Sequence, residues 1–81
     1  MFTVYILFSE SCRKYYTGHT QDIVNRLVEH NHGETKSIRL CVPWTIRWSK
    51  VVETRSEAMK IEGVIKKRGA SRYLLDHETQ N

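Results

Sequence analysis

The chain has 81 residues, of which 40% are hydrophobic and 27% are charged, and this composition is typical of one globular domain over residues 1–81. It excludes a largely disordered chain, and the apolar runs are far shorter than the roughly 18 residues that cross a bilayer. No signal-peptide pattern opens the chain, so we expect a cytoplasmic protein with no membrane span. The net charge of +4 favours an anionic partner, nucleic acid before an acidic membrane surface.

The chain contains two cysteines, Cys12 and Cys41, and neither belongs to a CxxC or CxxH pattern. A zinc site is therefore not expected. The count of two is compatible with a disulfide, but a cytoplasmic location favours free thiols. We therefore expect both side chains to be reduced.

The chain begins with the pattern of a β-hairpin. Residues 3–8 (TVYILF) are β-branched and aromatic, and residues 14–19 (KYYTGH) form a second extended stretch after a polar turn. Gly18 lies within the second strand, where glycine indicates a bend or a close approach of another group to the backbone. By the alternation of strand side chains, Tyr5 faces away from Val4 and Ile6.

A helix over residues 22–31 is predicted next, with Thr20 as its N-cap. Its apolar positions are Ile23, Leu27 and Val28. His32 and Gly33 end it, because glycine suits the left-handed position after a helix. Residues 34–42 fit either a short helix or an ordered loop.

A third strand is predicted over residues 44–53, and the period of two places Trp44, Ile46 and Trp48 on one face. Thr54 and Glu57 form a capping box that begins a helix reaching about Lys67. Gly69 ends this helix, and a short final helix over residues 71–77 is possible. The order β-β-α-β-α predicts an α+β fold, in which helices flank a small antiparallel three-stranded sheet in two layers.

Three polar side chains fall on or beside apolar helix stripes. Glu62 lies next to the stripe of the second helix, where a carboxylate needs a cation or strong donors. Both a salt bridge to an arginine and a role as metal ligand or general base fit this position. Arg26 and His30 share a helix face and fit either phosphate binding or a solvated edge on which Arg26 pairs with Asp22.

Together these positions resemble the GIY-YIG nuclease family over nearly the whole chain. Thr3-Val4-Tyr5 stands where the family has Gly-Ile-Tyr, and Tyr16-Thr17-Gly18 stands where it has Tyr-Ile-Gly, after a spacer of ten residues. A helix with Arg26 and His30 and a helix with Glu62 follow in the family's order. The chain looks closest to small stand-alone members that resemble the N-terminal nuclease domain of the bacterial excision-repair incision subunit.

The resemblance implies a metal-dependent endonuclease that hydrolyses phosphodiester bonds in DNA, in repair or recombination. Glu62 would hold one divalent ion, Mg²⁺ or Mn²⁺, and Arg26 would neutralise charge on the phosphate. Tyr5 would act as general base or orient the water, with its pKa lowered by a cation such as Arg26 or Lys66. Tyr16 and His30 would bind phosphate or relay the proton, and the choice of base among these three residues stays open.

DNA is the expected partner, and contacts to substrate are expected from Gly18, Asn31, Lys36 and Lys66. Further basic groups either follow the DNA backbone or form a solvated face; they are Arg39, Arg55, Lys60, Lys67, Arg68 and Arg72. Phosphate contacts carry no sequence information, so binding should tolerate many sequences unless a protein partner adds specificity. The alternatives are a catalytically idle module that binds DNA or a partner, and an interaction domain in which Glu62 is merely salt-bridged.

Overall fold

The computed structural model of the protein describes residues 1–33 and 38–78. Its elements are β1 (Phe2–Ser9), β2 (Lys14–Thr20), α1 (Ile23–Asn31), β3 (Trp44–Val52), α2 (Arg55–Arg68) and α3 (Ala70–Glu78). A 3-10 turn, Arg39–Cys41, precedes β3 and lies in the segment 34–42, for which the sequence fits either a short helix or an ordered loop. In the described ranges, no helix combines the length and apolar character needed to cross a membrane.

The sheet is antiparallel throughout and has the order β2-β1-β3, so β1 is central and β2 and β3 are its edges. Strand β1 is buried on both faces. Val4 and Ile6 pack with α2 and α3, whereas Tyr5 and Leu7 face α1 and the segment before β3. The α+β sheet flanked by helices is confirmed. The two-layer arrangement was wrong, because a strand that is apolar on both faces requires a cover on each side.

Strand β3 contains a β-bulge that changes which residues share a face. Ile6 pairs with Trp48 and Leu7 pairs with Ile46, so Arg47 is the additional residue. Trp44 therefore packs in the cluster of Tyr5, and Trp48 packs on the opposite face of the sheet. The prediction that both tryptophans share one face was wrong, because one inserted residue reverses the alternation.

The N-cap of helix α1 is Asp22 rather than Thr20. The Asp22 carboxylate accepts a hydrogen bond from the backbone N–H of Asn25, at 3.1 Å. Thr20 was the wrong N-cap, since its hydroxyl accepts from the N–H of Asp22 and only shapes the approach to the helix. Val28, predicted to be apolar and inward-facing, is 46% exposed. Gly33 follows the helix with a positive φ of 76°, as predicted.

Helix α2 has the predicted start and end. The Thr54 hydroxyl accepts from the backbone N–H of Glu57 at 3.2 Å, and the helix ends at Gly69 with a φ of 94°. Ala58 and Ile65 are fully buried, which fixes the helix on the sheet. The polar side chain of Glu62 is thereby held at a defined position next to this buried stripe.

Cys12 and Cys41 form a disulfide, with their Cα atoms 5.3 Å apart. The expectation of free thiols was wrong, because the hairpin turn and the 3-10 turn lie side by side where Ser9 pairs with Trp44. Buried Ser9 also joins these two segments: its hydroxyl donates to the Cys41 carbonyl and accepts from the Cys12 N–H at 3.1 Å. The contact between the segments therefore combines covalent and polar interactions.

Candidate active site

Gly18 is the position around which the candidate site is built. It pairs with Tyr5 in the β1–β2 register, so the Tyr5 ring lies directly beside its backbone. A Cβ atom at Gly18 would lie 2.6 Å from the Tyr5 hydroxyl oxygen, which is closer than real Cβ atoms approach. The absent side chain therefore makes the space that the hydroxyl occupies, in agreement with the predicted close approach.

Four of the predicted site residues lie together on the face of the sheet that α1 covers. The Tyr5 hydroxyl lies 3.3 Å from His30 Nε2, and the Arg26 guanidinium lies near enough to Tyr5 to act on its pKa. The Tyr16 ring lies edge-on to the His30 ring, with 5.1 Å between their centroids. Arg26 also binds Glu29 at 3.1 Å, rather than the predicted Asp22. The sheet and α1 thus bring a phenol and an imidazole into contact, with a guanidinium nearby.

Burial determines the protonation of this cluster. It raises the pKa of Tyr5, and the nearby Arg26 guanidinium offsets this only in part. Burial also lowers the pKa of His30, and the positive charge of Arg26 acts in the same direction. At neutral pH the cluster therefore contains a protonated phenol beside a neutral imidazole, which is able to accept a proton.

Glu62 lies on the other helical side of the sheet and has two nitrogen partners. His19 Nδ1 is 2.7 Å from Glu62 Oε1, and Lys66 Nζ donates to Oε2 at 2.8 Å. Burial opposes ionisation, but the hydrogen bonds from Lys66 and His19 prevail and lower the pKa of Glu62. The carboxylate is therefore ionised at neutral pH, with a histidine and a lysine in place of the arginine considered from the sequence.

The two halves of the site meet at the outer edge of β2. One groove at this edge is lined by both His19 and Arg26, and a second is lined by both Tyr16 and Lys66. The negative charge of Glu62 also contributes to the raised pKa of Tyr5, so the two halves are electrostatically coupled. Because β2 is an edge strand, a long polymer would be able to lie along both grooves without entering a closed cavity.

The oxygen and nitrogen donors near Glu62 determine which divalent cation this part of the protein is able to hold. Across residues 1–33 and 38–78, no three histidine, cysteine, aspartate or glutamate side chains gather to form a complete protein cage for a metal. Mg²⁺ differs from zinc in this respect, since it retains several waters and often takes only one or two carboxylates plus phosphate oxygens. The ionised carboxylate of Glu62 at an open edge fits such a partial site.

The other predicted contact residues lie in different surroundings. Both ends of the Asn31 amide bind the backbone of Trp44, at 2.6 and 3.2 Å, so this side chain connects α1 to β3. Lys36 lies outside the described residues. Among the further basic groups, Arg55 lies over the Phe2 ring and lines the groove of His19 and Arg26.

His19 is the site residue that the sequence analysis missed. It follows Gly18 in β2, and its register with Val4 turns it toward α2 rather than α1. One feature of the sequence could have indicated it: this histidine directly follows the Tyr16-Thr17-Gly18 motif in the second predicted strand. Its partner is 43 residues away, so only the packing of α2 on β2 brings the pair together.

The chain belongs to the GIY-YIG family, because the family model described as the GIY-YIG catalytic domain matches residues 1–74. Membership supports a nuclease-type function, with DNA as the implied class of substrate. GIY-YIG nucleases generally use a divalent metal ion.

UPF0213 proteins of several microorganisms are similar to the chain. A UPF0213 protein of Listeria monocytogenes serotype 4b is 40% identical over 76 residues, which are 84% of this chain and 81% of that protein. A UPF0213 protein of Halobacterium salinarum is 43% identical over 53 residues, or 64% and 69% of the two chains. No solved structure gave a significant match.

Proposed function

We propose that the protein is a metal-dependent endonuclease that hydrolyses phosphodiester bonds in DNA. The observation that carries this proposal is the contact of Tyr5 with His30 beside the Arg26 guanidinium, on the opposite face of the sheet from ionised Glu62. Such hydrolysis needs a proton acceptor for water and positive charge for the phosphate. We propose that a DNA strand bound along the edge of β2 meets both the proton acceptor and the positive charge.

Glu62 is the residue proposed to hold the divalent ion, Mg²⁺ or Mn²⁺. When bound, such an ion supplies positive charge to the phosphate and lowers the pKa of its water ligands. The support from this chain is an ionised carboxylate whose charge persists at neutral pH. His19 would keep this carboxylate at the edge of β2, since its ring also packs against Phe2.

The proton of the attacking water is proposed to pass by way of Tyr5 to His30. The expected lowering of the Tyr5 pKa is opposed by burial, so a phenolate waiting as base does not fit this site. Neutral His30 offers the better final acceptor: the water gives a proton to the Tyr5 oxygen while the Tyr5 proton moves to His30 Nε2. The water oxygen then bonds to phosphorus, the bond from phosphorus to the leaving oxygen breaks, and that oxygen takes a proton from solvent.

Arg26 is proposed to neutralise the charge that grows on the phosphate oxygens. Its fork of N–H donors already binds Glu29, and it lines the groove beside β2. Tyr16 would contribute a second hydroxyl from the neighbouring groove. Contacts of this type would not select a sequence, so we propose recognition of DNA shape, such as a repair or recombination intermediate.

The test is cleavage of labelled duplex, nicked, flapped and single-stranded DNA with Mg²⁺, Mn²⁺ or EDTA. We expect metal-dependent cutting that Glu62→Gln reduces by at least about a hundredfold, because the carboxylate charge is lost. Glu53→Gln is the matched control, since it removes the same charge from an exposed position just before α2. A folded protein that binds DNA but cuts none of these substrates would instead be an idle binding module.

A further inference from the structure

The side chains of the two nitrogen partners of Glu62, His19 and Lys66, differ in how tightly they are packed. His19 belongs to β2, and its ring packs edge-on to Phe2 with 6.3 Å between centroids. Lys66 is one turn beyond Glu62 on α2, and its side chain is 59% exposed. An exposed lysine has a flexible stem, and ion pairs between residues four apart on a helix are weak. Of the two contacts, the one from Lys66 is therefore much easier to break.

A divalent ion and Lys66 compete for the same carboxylate oxygen. The ammonium nitrogen lies 2.8 Å from Oε2, whereas Mg²⁺ binds an oxygen ligand at about 2.0–2.1 Å. A divalent ion and an ammonium group that bind the same oxygen atom would repel each other strongly. Because His19 occupies Oε1 and is packed in place, Oε2 is the oxygen that the ion would take, and Lys66 is the group that would leave.

We propose that Lys66 is an internal cation that occupies Glu62 in the metal-free protein and is displaced when the divalent ion binds. This inference rests on the proposed metal-holding role of Glu62. While no ion is bound, the positive charge of the ammonium compensates the negative charge of the partly buried Glu62 carboxylate. The carboxylate therefore stays deprotonated and able to bind a metal ion.

The displaced ammonium has a second place to bind. Lys66 lines the groove that also contains Tyr16 and Thr17, on the open edge of β2. A phosphate in that groove would attract the ammonium and so help to uncover Glu62. Binding of the ion and binding of the DNA strand would therefore strengthen each other, as linkage between two sites requires.

The experiment is a Mn²⁺ titration of the full ¹⁵N-labelled chain without DNA, followed by paramagnetic broadening of the amide signals around Glu62. We compare the wild type with Lys66→Met and with Lys67→Met, which removes the same charge from the next residue of α2. Lys66→Met should lower the Mn²⁺ concentration at half-broadening by roughly two- to tenfold, because a local competitor is lost. Lys67→Met should change it less than about twofold, since only screened long-range repulsion is removed.

Equal shifts in the two variants would overturn the proposal, as would weaker Mn²⁺ binding in Lys66→Met or an absence of broadening at Glu62 in all three proteins. The outcome is separable from that of the proposed function. Metal-dependent DNA cleavage together with equal Mn²⁺ midpoints would refute only the displacement of Lys66. Failure of cleavage on every substrate would refute the nuclease itself, whatever the Mn²⁺ titration gives.

Discussion

At the scale of single residues, the site depends on one missing side chain. Gly18 lets the Tyr5 hydroxyl lie against the backbone of β2, within reach of Arg26 and His30. Any larger residue would have to move the Tyr5 ring, which is only 2% exposed and packed on all sides. The geometry of the cluster is therefore set by a packing constraint that can be tested without changing any polar group.

Replacing Gly18 with alanine should disturb both stability and activity. The new Cβ would lie 2.6 Å from the Tyr5 oxygen and 2.9 Å from Cζ, so we expect a loss of about 1–3 kcal/mol in the free energy of unfolding. Cleavage should fall on the order of a hundredfold, because the phenol is misplaced. Urea unfolding and cleavage assays on the purified variant measure the two effects.

Gly63→Ala is the control for this substitution. Gly63 lies within α2, and a Cβ there would meet no atom within 4 Å. Alanine should therefore stabilise the protein by about 0.5–1 kcal/mol through its better helix propensity, with activity unchanged. If Gly18→Ala were as well tolerated as Gly63→Ala, the role assigned to the missing side chain would be wrong.

The neutral state of His30 predicts how stability depends on pH. Burial and Arg26 lower its pKa in the folded chain, whereas the unfolded chain protonates it with a pKa near 6.5. Since the unfolded state then binds more protons, the stabilisation is complete above about pH 6.5 and is lost as the pH falls below it. Thermal unfolding at pH 7.5 and 5.5 should show a larger drop in Tm for the wild type than for His30→Gln. Equal drops would mean that His30 is not held neutral.

The residues of the site were only partly accessible to sequence reasoning. Tyr5 and Gly18 follow from a motif and from strand alternation, which are local properties of the chain. The contact of His19 with Glu62 joins β2 to α2 across 43 positions and has no local signature. Sequence patterns identify which side chains are unusual, but the packing of helices on the sheet determines which of them meet.

At the scale of the elements, local signals predicted both ends of α2, but they misplaced the N-cap of α1 and the face of β3. Thr54 and Gly69 are the N-cap and C-cap of α2. The sequence predicts both, because a cap interacts with backbone groups only a few residues away. The bulge at Arg47 arises from pairing with β1, so the period of two in β3 could not reveal it. The disulfide likewise depends on which two turns the pairing of β1 with β3 brings together.

The start of α1 offers a direct test at this scale, because Asp22 and not Thr20 satisfies the free N–H of the first turn. Asp22→Ala should lower the free energy of unfolding by about 1 kcal/mol, since the bond to the Asn25 N–H is lost. Asp22→Asn keeps an acceptor at the same place and should retain most of the stability. Chemical denaturation of the three proteins gives the comparison, and an equal loss in both variants would assign the effect to charge instead of capping.

At the scale of the whole molecule, the central strand determines the architecture. With β1 apolar on both faces, α2 and α3 must cover one side while α1 and the segment before β3 cover the other. An 81-residue chain buries only a modest fraction of its surface, so a core divided between two faces is small on each. A covalent link between the hairpin and the segment before β3 therefore contributes a large share of the stability.

Reduction of the Cys12–Cys41 bond should thus have a measurable global effect. The bond closes a loop across 29 positions, for which the chain-entropy estimate is about 3–4 kcal/mol. In a domain of this size such a loss lowers Tm by roughly 12–32 °C. The polar contacts of Ser9 with both segments remain after reduction, so the fold should persist at room temperature with a lower midpoint.

Calorimetry with and without a thiol reductant measures the shift, and the double variant Cys12→Ser/Cys41→Ser should unfold at the reduced midpoint in both conditions. If the wild type kept its midpoint after complete reduction, the two faces would be held by packing alone, and the small core would be more stable than its size implies.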